Sequence, residues 1–421
     1  MKRKHLPSLP KSSIHFKQPE GLRVIAIITF FICFCIAPSI ALLTHTGEMN
    51  FFYSRNDRIF VIFFACIFGC FSNYLFGSTK SIMHGLQFII IALIMSSINN
   101  IYLFSAAALW TGVTIVIVNL LFNLSSFYLK TDMRRLCGFI VIYSSALLGT
   151  AVGIALSYMV FKNIDHFRLF YIAIVFAMMI YVMKNNYKLN TSLVSQTERI
   201  DVSTYGVMVI FFIFTCILFY LFLHVTIFAI LNVIILPVSL VLLIIITLVN
   251  NKENGVNLLK YVFFSLFLIV LNKSTYILFS QHQSYIGASY LNSSVSAIII
   301  LMIGFVICLL IYVAWRLKLI SLQTESITNS NLVHIMLYLE TARIITLTMT
   351  TYTNNPTINS SLFLVTTVLG LILNVFIIPI YFSLGKILAG GKNEITTTTL
   401  LYLIFSSLAF VSFLYDISVR L

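Results

Sequence analysis

Of the chain's 421 residues, 60% are hydrophobic and only 9% are charged. A water-soluble domain carries about a quarter of its residues as charges, so this balance excludes one and requires a surface whose solvent is hydrocarbon. The formal net charge of +14 does not point to nucleic acid either, because the basic residues fall in short turns between apolar runs and not on a shared polar face.

The N-terminus opens with Lys2, Arg3 and Lys4 and stays polar to Gly21. The apolar run that follows, Leu22 to Leu43, is too long for a cleaved signal and predicts a first retained helix after a cytoplasmic segment 1–21. A helix rises about 1.5 Å per residue, so roughly 20 apolar residues cross a hydrocarbon core about 30 Å thick. Thirteen runs of this kind follow in order, near 22–43, 59–77, 81–98, 101–123, 136–161, 167–183, 203–223, 225–249, 257–280, 292–315, 331–350, 361–385 and 396–415. The expected fold class is an all-α membrane protein of about thirteen transmembrane helices.

Basic residues in alternate turns set the orientation. With the N-terminus inside, the inner turns carry Lys80; Lys130, Arg134 and Arg135; Lys184 and Lys188; Lys252 and Lys260; Arg316 and Lys318; and Lys386 and Lys392. The longest polar connection, 184–202, reads as a cytoplasmic linker, and the longest outer loop is the fifteen-residue stretch Thr44 to Arg58. Cys33, Cys35, Cys66, Cys70, Cys137, Cys216 and Cys308 lie in or at the edge of apolar runs, where a thiol acts as a small hydrophobe; their spacing suggests neither disulfides nor a metal cage. No phosphate-binding glycine loop is present, and no cofactor is expected.

The densest local pattern is Ser125-Ser126-Phe127-Tyr128, then Asp132, Arg134 and Arg135, then Gly138-Phe139, Tyr143 and Gly149. It resembles the fourth-to-fifth helix signature of the proton-dependent oligopeptide transporter family, a branch of the major facilitator superfamily. Pro19, Gly21 and Leu22 resemble that family's entry to its first helix. Gly69, Gly77 and Lys80 resemble a weakened form of the loop between helices two and three, Phe279 and Gln281 the seventh helix, and Gly370 and Pro379 the tenth. The resemblance implies a bundle of two halves, 22–183 and 257–421, with an inserted helix pair at 203–249. It also implies that Asp132, Arg134 and Arg135 form an inner-loop gating motif. The run 396–415 aligns with the eleventh core helix, so the second half is expected to hold five helices and lack the last.

Against that resemblance stand the family's coupling groups. The acidic and basic positions of its first helix hold Thr29, Ile32 and Cys33 here; the fourth-helix lysine is Leu121 and the fifth-helix asparagine Leu147. Ser280 and Asn374 replace the glutamates of the seventh and tenth helices, and Asn73 and Tyr74 replace the charged pair after helix two. None of these side chains exchanges a proton near neutral pH.

A charge in mid-membrane costs at least about 2.5–3.5 kcal/mol, so intramembrane charges are candidates for function. Lys273, beside Asn272 and two turns before Gln281, reads as a cavity cation for a substrate carboxylate or as a lysine snorkelling to the surface. Glu340 and Arg343, three apart, share a helix face. They read as a self-neutralising pair, or as a relocated proton carrier in which Glu340 exchanges partners between Arg343 and Lys273. Asn374 reads as a substrate hydrogen-bonder or a packing amide; His84, His282 and His334 as interfacial residues; Pro38, Pro237 and Pro379 as kinks.

The expected function is a secondary transporter, not an enzyme, that moves a small organic solute, a di- or tripeptide by resemblance, by alternating access with protons as the candidate coupling ion. Its expected place is the inner or plasma membrane. Two alternatives stay open: a transporter-shaped protein that does not transport, and a polytopic envelope-polysaccharide polymerase, which the short outer loops disfavour.

Overall fold

The computed structural model describes residues 18–45, 75–96, 98, 102–128, 134–159, 164–189, 227–250, 294–317 and 331–352, with further single helical positions within 69–73, 206–217, 256–263 and 358–373. Among these residues the secondary structure is helical, as hydrocarbon demands: with no water to satisfy backbone groups, each apolar run must close its own hydrogen bonds. The helices are α1 (Glu20–His45), α2 (Ser78–Met95), α3 (Tyr102–Ser126), α4 (Arg134–Met159), α5 (Ile164–Lys184), α6 (Asn186–Leu189), α7 (Ile227–Asn250), α8 (Ser294–Arg316) and α9 (Asn331–Tyr352).

Eight of these coincide with predicted runs to within a few residues. The ninth, α6, is a single turn at the start of the expected linker, folded back so that Leu189 is buried and packed near α1. Where they are described, positions in the runs 59–77, 203–223, 257–280 and 361–385 are helical, except Gly77, which precedes α2. The run 396–415, and with it the expectation of a missing last helix, lies outside the described residues.

Packing is densest between α2 and α3 and between α1 and α4. One apolar core joins α1 through α6, built on fully buried Ile25, Ile28, Ile82, Leu86, Ile115 and Tyr171. Close backbone approach at glycines brings these helix pairs together, with the large apolar side chains of the core packed around the crossings. A Cβ on Gly112 would meet the Gly85 carbonyl at 2.6 Å. On α4, Gly149 and Gly153, one turn apart, lie directly against the Phe30 and Phe34 carbonyls of α1, leaving no room for a side chain.

The far end of the first half is tied by polar contacts. The Ser105 hydroxyl donates to the Ala92 carbonyl at 2.7 Å, and Arg168 of α5 donates to the Ser96 carbonyl at 3.0 Å. Arg168 satisfies a carbonyl just past the last turn of α2, whereas Ser105 is a second donor to the Ala92 oxygen, which already accepts the Ser96 N–H.

Burial separates centre from rim. The spanning window of α3 is 82% buried, whereas that of α8 is 17% buried. Ile299, Met302, Val306, Leu309 and Val313 form an exposed stripe on α8 at helical spacing, a face dressed for lipid. Elsewhere α8 packs on α4, so α4 contacts both α1 and α8.

Candidate functional site

At the end where α1 begins, residues far apart in sequence converge. The Tyr128 hydroxyl donates to the Gln18 side-chain carbonyl at 2.7 Å, and its ring lies against Gly138. Phe127 fills the space beside Gly21, and the Lys188 carbonyl closes the other side, 2.8 Å from where a Gly21 Cβ would stand. Tyr128, Phe139, Phe127 and Leu22 are all buried. The signature residues that carried the family resemblance are thus a packing unit that fastens the entry of α1 to the α3–α4 corner. Arg134 is half-buried at the start of α4; Asp132 and the side chain of Arg135 lie outside the described residues, so their gating role remains a proposal.

The segment that leads into α2 has a structural reason for Gly77. Gly77 adopts φ 76°, a left-handed conformation that glycine takes without strain, and so allows the chain to turn into α2. The Gly69 carbonyl accepts from Asn119 at 3.1 Å and from Ser72 at 2.8 Å. Asn119 and Asn123, one turn apart on α3 and both buried, place amides in an otherwise apolar helix; Asn123 accepts from Ser78. The sequence reading passed over this pair, although two amides spaced by four in an apolar run are a visible signal.

The positions where proton-coupling groups are expected by resemblance are occupied by core. Ile32 is 1% exposed, Leu147 is buried, and the Thr29 hydroxyl bonds back to the Ile25 carbonyl at 2.9 Å. Leu121 packs against the same core. His84, expected at the interface, is instead buried within α2, edge-on to Phe76 and 3.0 Å from the Gln87 carbonyl oxygen. The amide gives the imidazole a partner, which removes the need to reach water.

In the second half, α9 holds the charge pair that the spacing predicts. Arg343 Nη1 lies 3.5 Å from Glu340 Oε2, with Glu340 1% and Arg343 5% exposed. Gly370 sits beside the guanidinium, 3.5 Å from Cζ to where a Cβ would stand, and the Thr346 and Thr366 hydroxyls share a 2.9 Å hydrogen bond. Positions 366 and 370, spaced by four, therefore face Thr346 and Arg343, spaced by three, in a polar seam that the sequence reading did not foresee. Its signal was the run of threonines in 341–351. Lys273, Asn272, Gln281, Asn374 and His282 lie outside the described residues, and His334 falls in the first turn of α9. Of the expected kinks, Pro38 falls within α1 and Pro237 within α7, while Pro379 lies outside the described residues. No cluster of metal-binding side chains occurs among the described residues.

The sequence matches no family profile and no curated protein. Solved structures, however, align along nearly the whole chain. A peptide transporter POT in complex with sulfate superposes with TM-score 0.59 at 14% identity, over 96% of this chain and 89% of that one. A POT family transporter in complex with 5-aminolevulinic acid gives 0.62 at 17% identity, over 96% and 92%. The human organic anion transporter MFSD10 (TETRAN) gives 0.60 at 11%, over 94% and 92%. One architecture accounts for the helices from α1 to α9: the chain is an integral membrane protein with the major-facilitator fold of the POT peptide transporters.

Proposed function

We propose that the chain is a secondary transporter, not an enzyme, that moves a small organic solute of peptide or amino-acid type by alternating access of its two halves. One observation carries this reading: the alignment to a POT transporter spans 96% of the chain, both expected halves included, and is not confined to one bundle. Fold alone does not specify chemistry, so the residues must. The first half offers no titratable group at the aligned coupling positions Thr29 and Ile32, which belong to its core. Glu340 is the buried carboxylate that α9 supplies, with Arg343 at its side.

In this scheme Glu340 carries the proton. Ionised, it pairs with Arg343 or, as the halves rock, with Lys273; protonated, it releases the guanidinium to a substrate carboxylate. Asn272, Gln281 and Asn374 supply neutral hydrogen bonds to the solute, and Asp132, Arg134 and Arg135 gate the inner side. The membrane is the inner or plasma membrane, with the N-terminus in the cytoplasm, as the basic residues of the inner turns imply.

The test is uptake of labelled di- and tripeptides by proteoliposomes with and without an inward proton gradient. Gradient-driven uptake by the native chain, lost in Glu340→Gln while gradient-independent peptide exchange survives, supports a relocated proton site. Uptake indifferent to the gradient sinks the coupling role. Absence of both uptake and exchange for every peptide removes peptides as the cargo.

A further inference from the structure

A cavity of about 130 Å3 lies beside the first turn of α2 and the last turn of α5, lined by Phe76, Thr79, Lys80, Met83, Met183 and Asn186 among others. We propose that it binds the headgroup of an anionic phospholipid from the leaflet at that membrane face, with Lys80 as the cation that recognises the phosphodiester. The inference does not rest on transport: every lining residue falls between Phe76 and Asn186.

Size comes first. One water needs about 10–15 Å3 of such space, so the cavity has ample room for a phosphate group. Charge comes next. Lys80 is exposed at the cavity, no lining residue is acidic, and among the described residues no carboxylate pairs with it. Lys80 is the cation among the residues that line it. Gly77 gives α2 no side-chain cap, which leaves the electropositive end of that helix at the same edge.

The walls then distinguish a lipid from a free anion. Phe76, Met83 and Met183 are apolar, and Met183 is 63% exposed on the outer surface of α5. A soluble phosphate gains nothing from such a wall, whereas the glycerol and upper acyl segments of a lipid do. Basic pockets between helices at a membrane face select anionic headgroups for these reasons.

The experiment uses the purified full chain, reconstituted with phosphatidylglycerol and phosphatidylcholine, then extracted and weighed intact by mass spectrometry to count retained lipid. The native chain is expected to retain phosphatidylglycerol in preference to phosphatidylcholine. Lys80→Gln should lower that retention about fivefold, the factor equivalent to about 1 kcal/mol for one lysine near the surface. Met183→Trp, which narrows the mouth and leaves every charge in place, should lower it as well. Both side chains are exposed, so the fold survives either change. Equal retention by the native chain and Lys80→Gln overturns the assignment, as does retention unaffected by Met183→Trp. Displacement of the lipid by excess inorganic phosphate at matched ionic strength would reassign the cavity to a free anion.

Discussion

Residues 18–189 and the α9 region both pair side chains with side chains, as in Ser78–Asn123 and Thr346–Thr366, but the α9 region differs in burying a full charge pair. In residues 18–189 the packing is set by glycines that bring backbones together, and buried hydroxyls and amides such as Thr29, Ser105 and Asn119 bond to main-chain carbonyls. At α9 a full charge pair is buried, and the neighbouring seam is made by side chains meeting side chains, Thr346 on Thr366 and Arg343 beside Gly370. The difference teaches where to look for chemistry. Hydroxyls that bond to the backbone of their own helix have no second state, whereas a carboxylate and a guanidinium brought together by their side chains can exchange partners and protons.

Four single substitutions and one double variant sharpen or break this contrast. The largest effect is expected for Glu340→Ala, which takes the buried counter-charge from Arg343 and should cost about 3–5 kcal/mol, read as a fall in thermal midpoint of the purified protein. Glu340→Met with Arg343→Met should recover most of that loss. If the double variant is as unstable as the single, the pair is not the source. Next comes Gly149→Val, where the new side chain meets the Phe30 carbonyl; overpacking of about 1–3 kcal/mol is expected in the same assay, and native stability there would refute the close α1–α4 approach.

Tyr128→Phe removes the hydrogen bond to Gln18 and keeps the ring on Gly138, so a loss of about 1 kcal/mol should appear, with faster proteolysis near the N-terminus as a second readout. The smallest effect belongs to Gly370→Ala. A Cβ there stands in ordinary contact with Arg343 at 3.5 Å, so stability should stay within about 0.5 kcal/mol of native. A large loss at Gly370 would mean that the α9 seam is packed as tightly as the first half, and the contrast would fail.

Particular residues show how much could be read in advance. The helices followed from run length, because a hydrocarbon solvent leaves the backbone no other choice. Glu340 and Arg343 followed from a spacing of three on one helix, a local relation that tertiary structure only had to bury. The burial of His84 did not follow: it depends on Phe76 and Gln87 being placed around the ring, whereas its place near a helix end pointed to the interface. The Thr346–Thr366 contact joins two helices whose register no single-helix pattern contains.

What the amino-acid sequence determined by itself is the membrane class, the approximate helix boundaries, and which charges are expensive enough to need a purpose, since each of these depends on local composition and the solvent. Tertiary structure alone decided that Gly21 meets Phe127 and Tyr128 meets Gly138, that Gly149 lies on the Phe30 carbonyl, and that Lys80 borders a cavity beside Asn186. Most of those relations join residues tens of positions apart, and only the packing of whole helices fixes which of their faces touch.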